Sequence, residues 1–203
     1  MRQNPKYRFL KLSGLYILAI LLGLAIRIIF PEIKIHGVLF YFIILLGLLV
    51  YIKKEKCEYR SWFQKPQKEG YGQIAIAILV TLWQTVIVTA LSVLIYQEGG
   101  GEKFVFEIFP CLTTCLLAPV TEEIVCRGII IDILKEKHGK AFTITVSALI
   151  FYVIHGNPFN VGSFLFGLCA GWGALTAKSI VPGIVIHMCW NGIVYFLPLI
   201  LVL

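Results

Sequence analysis

Charge is what this sequence has least of. Only 14% of its 203 residues are Asp, Glu, Lys or Arg, while 59% are hydrophobic and the mean hydropathy is +0.87. A soluble domain runs at roughly 25% charged and 45–50% apolar, so the composition points to a polytopic membrane protein. No stretch is long or polar enough for a separate soluble domain, and no internal repeat is visible. The six cysteines (Cys57, Cys111, Cys115, Cys126, Cys169 and Cys189) form no CxxC pair and no zinc-ribbon spacing. Most lie inside apolar segments and read as small buried hydrophobes. HExxH is missing, which excludes a standard zincin, and there is no GxSxG turn to expose a serine nucleophile.

What is present is a series of apolar runs, each near the roughly 20 residues that a membrane crossing needs. They predict an all-α polytopic bundle of about seven transmembrane helices, over 9–30, 37–53, 72–96, 104–134, 141–155, 160–177 and 180–202. Pro31, "QEGGGEK", "KEKHGK", "HGNPFN" and "KSIVPG" supply turns between them. The whole chain, 1–203, reads as one integral membrane domain. Residues 54–71 are the single polar stretch, with Tyr59, Trp62 and Phe63 among charges, and read as an interfacial segment. The first run follows a basic start, but it is long, carries Arg27 and ends at Phe30-Pro31 without a small-residue cleavage site. It reads as an uncleaved first helix.

The net charge of +7 comes from basic residues placed between apolar runs, so their expected task is orientation, with no nucleic-acid partner. With the N-terminus in the cytoplasm, fourteen Lys and Arg fall inside and only Arg27, Lys34 and Lys103 outside, leaving Arg127 within a span. That asymmetry predicts a cytoplasmic N-terminus.

One run breaks the pattern. "APVTEEIVCRGIIIDIL", Ala118 to Leu134, sets Glu122, Glu123 and Arg127 among aliphatic residues. Each charge at a helix centre costs roughly 2.5–3.5 kcal/mol, so each needs a partner or a purpose. Glu123 and Arg127 are four apart and can pair, whereas Glu122 points about 100° away and is left over. Pro110 and Pro119 remove backbone donors, so a kinked or broken helix lining a cavity is expected here. Asp132, near the cytoplasmic end, can snorkel or pair with Lys135. His155 and His187 also lie within apolar runs, and Asn191 shares a face with His187; His36 and His138 fall in polar connections. At about 1.5 Å rise per residue, Glu122, His155, His187 and Asn191 come to depths of about 18, 21, 10 and 16 Å, compatible with one shared intramembrane site. Gly167, Gly171 and Gly173 read as a helix-packing surface.

A carboxylate beside imidazole can take a proton from water, and His187 with Asn191 can donate hydrogen bonds to an oxyanion, so the set suits hydrolysis of an acyl bond, most naturally a peptide. A cysteine nucleophile is disfavoured, because neither Cys126 nor Cys189 has a His three or four residues away. Zinc held by Glu122, His155 and His187 is the minority alternative to a cofactor-free site.

These residues resemble a known family. "EEIVCRG", "FYVIH" and "HMCWN" resemble, in order, the EExxxR, FxxxH and HxxxN-type motifs of the type II CAAX prenyl protease and bacteriocin-processing family, also called Abi. The resemblance covers about 105–195; residues 1–100 match only as generic membrane helices. It implies an intramembrane glutamic endopeptidase with a cavity open to membrane and cytoplasm. Glu122 would activate water with His155, His187 and Asn191 would hold the oxyanion, and Glu123 and Arg127 would support the site and orient substrate. The expected partners are membrane lipid and a short hydrophobic or membrane-associated peptide, with a prenylated CAAX tail less favoured. The small size and Ile/Lys-rich composition resemble bacterial members, hence a bacterial cytoplasmic membrane. The alternatives are a non-catalytic immunity or peptide-binding protein and a small transporter.

Overall fold

Apolar sequence without breakers becomes helix, because in lipid each backbone N–H and C=O must find its partner within the segment. The structure, a computed structural model, describes residues 4–31, 35–72, 106–155 and 161–201, together with short helical pieces between 75 and 87. Among the described residues there is no strand. Helix α1 spans Pro5–Ile29, opened by Asn4, whose side chain accepts from the Lys6 amide, with Pro5 at the first turn. α2 spans His36–Lys54 and a short α3 Tyr59–Trp62, followed by a 3-10 turn at Lys68–Gly70. α4 runs over Ile108–Leu134, α5 over Lys140–Ile154, α6 over Val161–Ala177 and α7 over Val181–Leu201. α1, α2 and α4 are long and apolar enough to cross a membrane; α5 to α7 are apolar, the first two shorter. The chain is an all-α integral membrane bundle. Of the expected span 72–96, the described positions are helical and the remainder, including all of 88–105, lies outside the described residues.

α4 departs from expectation. Pro110 and Pro119 do not break it. Instead it continues through two wider, π-helical stretches, Thr113–Leu117 and Ile124–Ile130. In the first, the Ala118 amide bonds to the Thr113 carbonyl five residues back. The same register would pair residue 119 with the Thr114 carbonyl, but proline has no N–H. Asn191 of α7 donates to that carbonyl instead, at 2.8 Å. In the second stretch the Cys126 carbonyl receives the Ser147 hydroxyl of α5, again at 2.8 Å. Both irregular turns are thus stitched to neighbouring helices by side chains, as buried backbone in lipid requires.

The helices meet on Ile44, Leu48, Cys126, Ile129 and Phe151, all essentially inaccessible. Lipid is as apolar as leucine, so the driving force between helices is close packing and hydrogen bonding more than removal from water. Gly167 shows the packing device: a Cβ there would lie 2.9 Å from the Ala148 Cα, so only glycine lets α6 and α5 approach this closely. Leu10, Leu18, Leu21 and Ile28 of α1 and Leu46, Leu49 and Val50 of α2 stay exposed, the surface that lipid would cover.

One end of the bundle gathers the charged connections. Arg8, itself buried, pairs with Glu136 at 2.6 Å, and Lys11 with Glu55 at 2.6 Å. Asp132 takes Lys135 at 2.5 Å and the Trp62 indole N–H at 2.9 Å. The Trp62 carbonyl accepts the Ile180 amide at 2.8 Å, and Gln64 donates to the Lys178 carbonyl at 2.8 Å. The segment read as merely interfacial therefore does more: Trp62 plugs the bundle end, buried against Gly128, while Tyr59 and Phe63 stay exposed.

Candidate active site

The site is built on the irregular part of α4. Glu122 and Glu123 close the α-helical turn Ala118–Glu123, and Arg127 sits in the π-helical stretch that follows. Glu123 and Arg127 have fully buried side chains and lie 3.0 Å apart, Oε1 to Nη1. The contact is Coulombic more than an aligned hydrogen bond, because the guanidinium nitrogens find no acceptor in hydrogen-bonding geometry. The guanidinium also lies 4.2 Å over the Phe151 ring and 5.5 Å from that of Phe166, a favourable cation–π setting in a dry interior. Glu123 Oε1 has a second neighbour, His187 Nδ1, at 3.3 Å. Gly183, one turn before His187, makes this approach possible: a Cβ there would come within 2.8 Å of Glu123 Oε2.

Glu122 faces a different set, as the helical offset requires. Its Oε2 lies 3.7 Å from His155 Nε2 and 3.9 Å from His187 Nε2, and is buried without a hydrogen-bond partner. Its Oε1 accepts the Tyr41 hydroxyl at 2.9 Å. The leftover carboxylate of the sequence does have a partner, supplied by α2.

The tautomers follow from the other ring nitrogens. His155 Nδ1 stands 2.7 Å from the Phe151 carbonyl, which can only accept, so Nδ1 carries the proton and Nε2 presents a lone pair. His187 Nδ1 faces the Glu123 carboxylate and is likewise the donor. With both imidazoles neutral, three acceptors converge: Glu122 Oε2 and the two Nε2 atoms, all within 4.8 Å of one another. Such a cluster is matched by a donor or an electrophile between its members. Hydrogen bonds of about 2.8 Å to a tetrahedral water would space the acceptors about 4.6 Å apart. Zinc bonds of about 2.0–2.1 Å would bring them to about 3.4 Å.

Above the imidazoles opens a cavity of about 210 Å³ between α5, α6 and α7. Phe151, His155, Phe166, His187, Trp190 and Asn191 are among its walls, with Ser163 as a further hydroxyl. Glu122 is not among its walls and meets two residues that are, His155 and His187. Asn191 spends one amide N–H on Thr114 and keeps a second, since a side-chain amide has two. Of the residues singled out from the sequence, Glu122, His155 and His187 meet directly, Glu123 and Arg127 join through His187, and Asn191 stands on the cavity wall. Tyr41, Thr114, Ser163, Phe166 and Trp190 were not anticipated. Tyr41 had one visible signal, a lone hydroxyl in the middle of "GVLFYFIILLG". His36 and His138 stay away from the site: the former contacts the Phe30 carbonyl at 2.7 Å and the latter stacks on Phe142.

The fold and these residues together define an integral membrane protein with its polar groups converging inside an apolar bundle. Residues 104–193, the segment that holds α4 to α7 up to Ile193, match the family model described as type II CAAX prenyl endopeptidase Rce1-like. The match agrees with the resemblance carried by "EEIVCRG", "FYVIH" and "HMCWN". No curated protein and no solved structure matches the chain.

Proposed function

We propose that this protein hydrolyses a peptide bond of a short hydrophobic or membrane-associated peptide, using water activated by Glu122. The observation that carries the reading is the convergence of Glu122 Oε2 on His155 Nε2 and His187 Nε2, two histidines that also line an apolar-walled cavity. A water held there gives its proton to Glu122 and its lone pair attacks the scissile carbonyl carbon. His155 Nε2 accepts the second water hydrogen and orients the attack. The oxyanion takes hydrogen bonds from the free N–H of Asn191 and from His187. With Nδ1 already donating to Glu123, His187 can donate from Nε2 only as the imidazolium, and Glu123 is the counter-ion for that form. Two carboxylates, Arg127 and that imidazolium then sum to zero, the arrangement a low-dielectric interior tolerates best. As the C–N bond breaks, Glu122 returns its proton to the departing amine, so atoms and charge balance.

Phe151, Phe166, Trp190 and Val194 around the cavity favour an apolar peptide segment. The basic connections gathered at one end of the bundle support a cytoplasmic location for that end and for the N-terminus. A transport pathway would distribute its polar groups along a channel; here they sit within hydrogen-bonding reach of a single water, which favours hydrolysis.

The test is cleavage in proteoliposomes of two internally quenched peptides, one farnesylated at a CAAX tail and one hydrophobic and unprenylated. A general base is worth roughly 10²- to 10⁴-fold, so Glu122→Gln is expected to lower kcat/KM by about that factor on whichever peptide is cut. Full activity of Glu122→Gln would overturn the reading. The metal-dependent variant has one observation in its favour, the three ligand atoms within 4.8 Å. Stoichiometric zinc in the purified protein, lost together with activity on chelation, would establish it in place of the glutamate-only mechanism.

A further inference from the structure

We propose that Tyr41 is a positioning residue for Glu122: its hydroxyl holds Oε1 and thereby leaves Oε2 as the oxygen aimed at the water site. The inference rests on the reading of Glu122 as the base, and it reaches into α2, outside the segment that matches the protease family. The terminal torsion of a glutamate is broad and nearly two-fold, so a carboxylate without contacts presents either oxygen in several orientations. At Glu122 the two oxygens are unequal. Oε1 accepts from Tyr41 at 2.9 Å, whereas Oε2 is buried, has no hydrogen-bond partner and stands 3.7 and 3.9 Å from the two imidazoles.

No other described group does this. Arg127 is engaged with Glu123 on a different face of α4. The two imidazole Nε2 atoms stand 3.7 and 3.9 Å from Oε2, beyond hydrogen-bonding distance, so neither histidine fixes the carboxylate. Cys126 and Glu123 lie on the same helix as Glu122 and offer it no donor. The remaining nearby hydroxyl is that of Tyr16 on α1, close enough to feel the Glu122 charge yet without a hydrogen-bond partner of its own. Tyr41 thus supplies the donor that fixes the carboxylate, and Tyr16 is the reserve that could swing in if it were lost.

The test compares wild type, Tyr41→Phe, Tyr16→Phe, the double Tyr16→Phe/Tyr41→Phe variant and Glu122→Gln. Each is reconstituted as the full chain and assayed on the quenched peptide that the wild type cleaves. A hydrogen bond to a charged group controls on the order of 10- to 100-fold in a rate. Tyr41→Phe is expected to lose about that factor in kcat with KM within about twofold; the double variant loses at least as much, and Tyr16→Phe alone keeps the wild-type kcat. Infrared difference spectra give a readout independent of cleavage: the carboxylate band that vanishes in Glu122→Gln should shift in Tyr41→Phe. Wild-type kcat in the double variant, or an unshifted band, would overturn the proposal, as would a loss confined to KM. If Glu122→Gln itself cleaves normally, the base reading fails first, and the band shift still decides whether Tyr41 fixes this carboxylate.

Discussion

Arg127→Met is the perturbation whose cost the structure sets most directly. The guanidinium and Glu123 lie 3.0 Å apart with both side chains fully buried, so solvent screening does not dilute the pair. At an effective dielectric near 20, unit charges at that separation attract by about 5–6 kcal/mol, and the dispersed charge over Phe151 adds about 0.5–2. Against this stands the cost of having buried both ions. Methionine keeps the volume and polarisability but leaves Glu123 with only His187 Nδ1, at 3.3 Å. Stranding one member of a buried pair costs about 3–5 kcal/mol, and that is the expected loss for Arg127→Met and, from the other side, for Glu123→Gln. The double variant removes both charges and should recover at least about 2 kcal/mol of the summed losses. Reversible unfolding in mixed detergent micelles, followed for the four proteins of the cycle, measures the coupling. Additive losses, with a coupling below about 0.5 kcal/mol, would refute the argument that the two charges exist for each other.

Two smaller predictions concern packing and backbone. Gly167→Ala places a Cβ 2.9 Å from the Ala148 Cα, a contact against backbone that cannot relax by a side-chain turn; the same unfolding assay should record a loss of about 1–3 kcal/mol. Lys178 closes α6 in the left-handed region at φ 51, with the Ser179 amide returning to the Ala174 carbonyl. A non-glycine residue there costs roughly 1–2 kcal/mol, so Lys178→Gly is expected to raise stability by up to about 1 kcal/mol after the unfolded chain's added freedom is counted.

The pairing of Glu123 with Arg127 was legible because helix geometry alone puts residues four apart on one face. The separation of Glu122 from that pair was legible for the same reason. What Glu122 turns toward was not, since Tyr41 lies 81 residues away on α2 and nothing local marks that contact. The prolines gave the reverse lesson: a missing donor predicted a break, but Asn191 comes from another helix to satisfy the Thr114 carbonyl, so α4 runs on. Trp62 read as an interfacial aromatic because its neighbours are charged. Only the packing of the end of α6 and of residues 178–180 against 62–70 turns it inward onto Asp132.

By itself the sequence determined the medium, the all-helical architecture and the separation of the charged cluster into a pair and a single carboxylate. These follow from composition and from a 3.6-residue period, which act locally. Tertiary structure decided which oxygen of Glu122 is free, which nitrogen of each histidine carries its proton and which donor Asn191 has left. Those are properties of contacts between helices, and in lipid, where association depends on close packing and matched polar groups, they are fixed only once the bundle has closed.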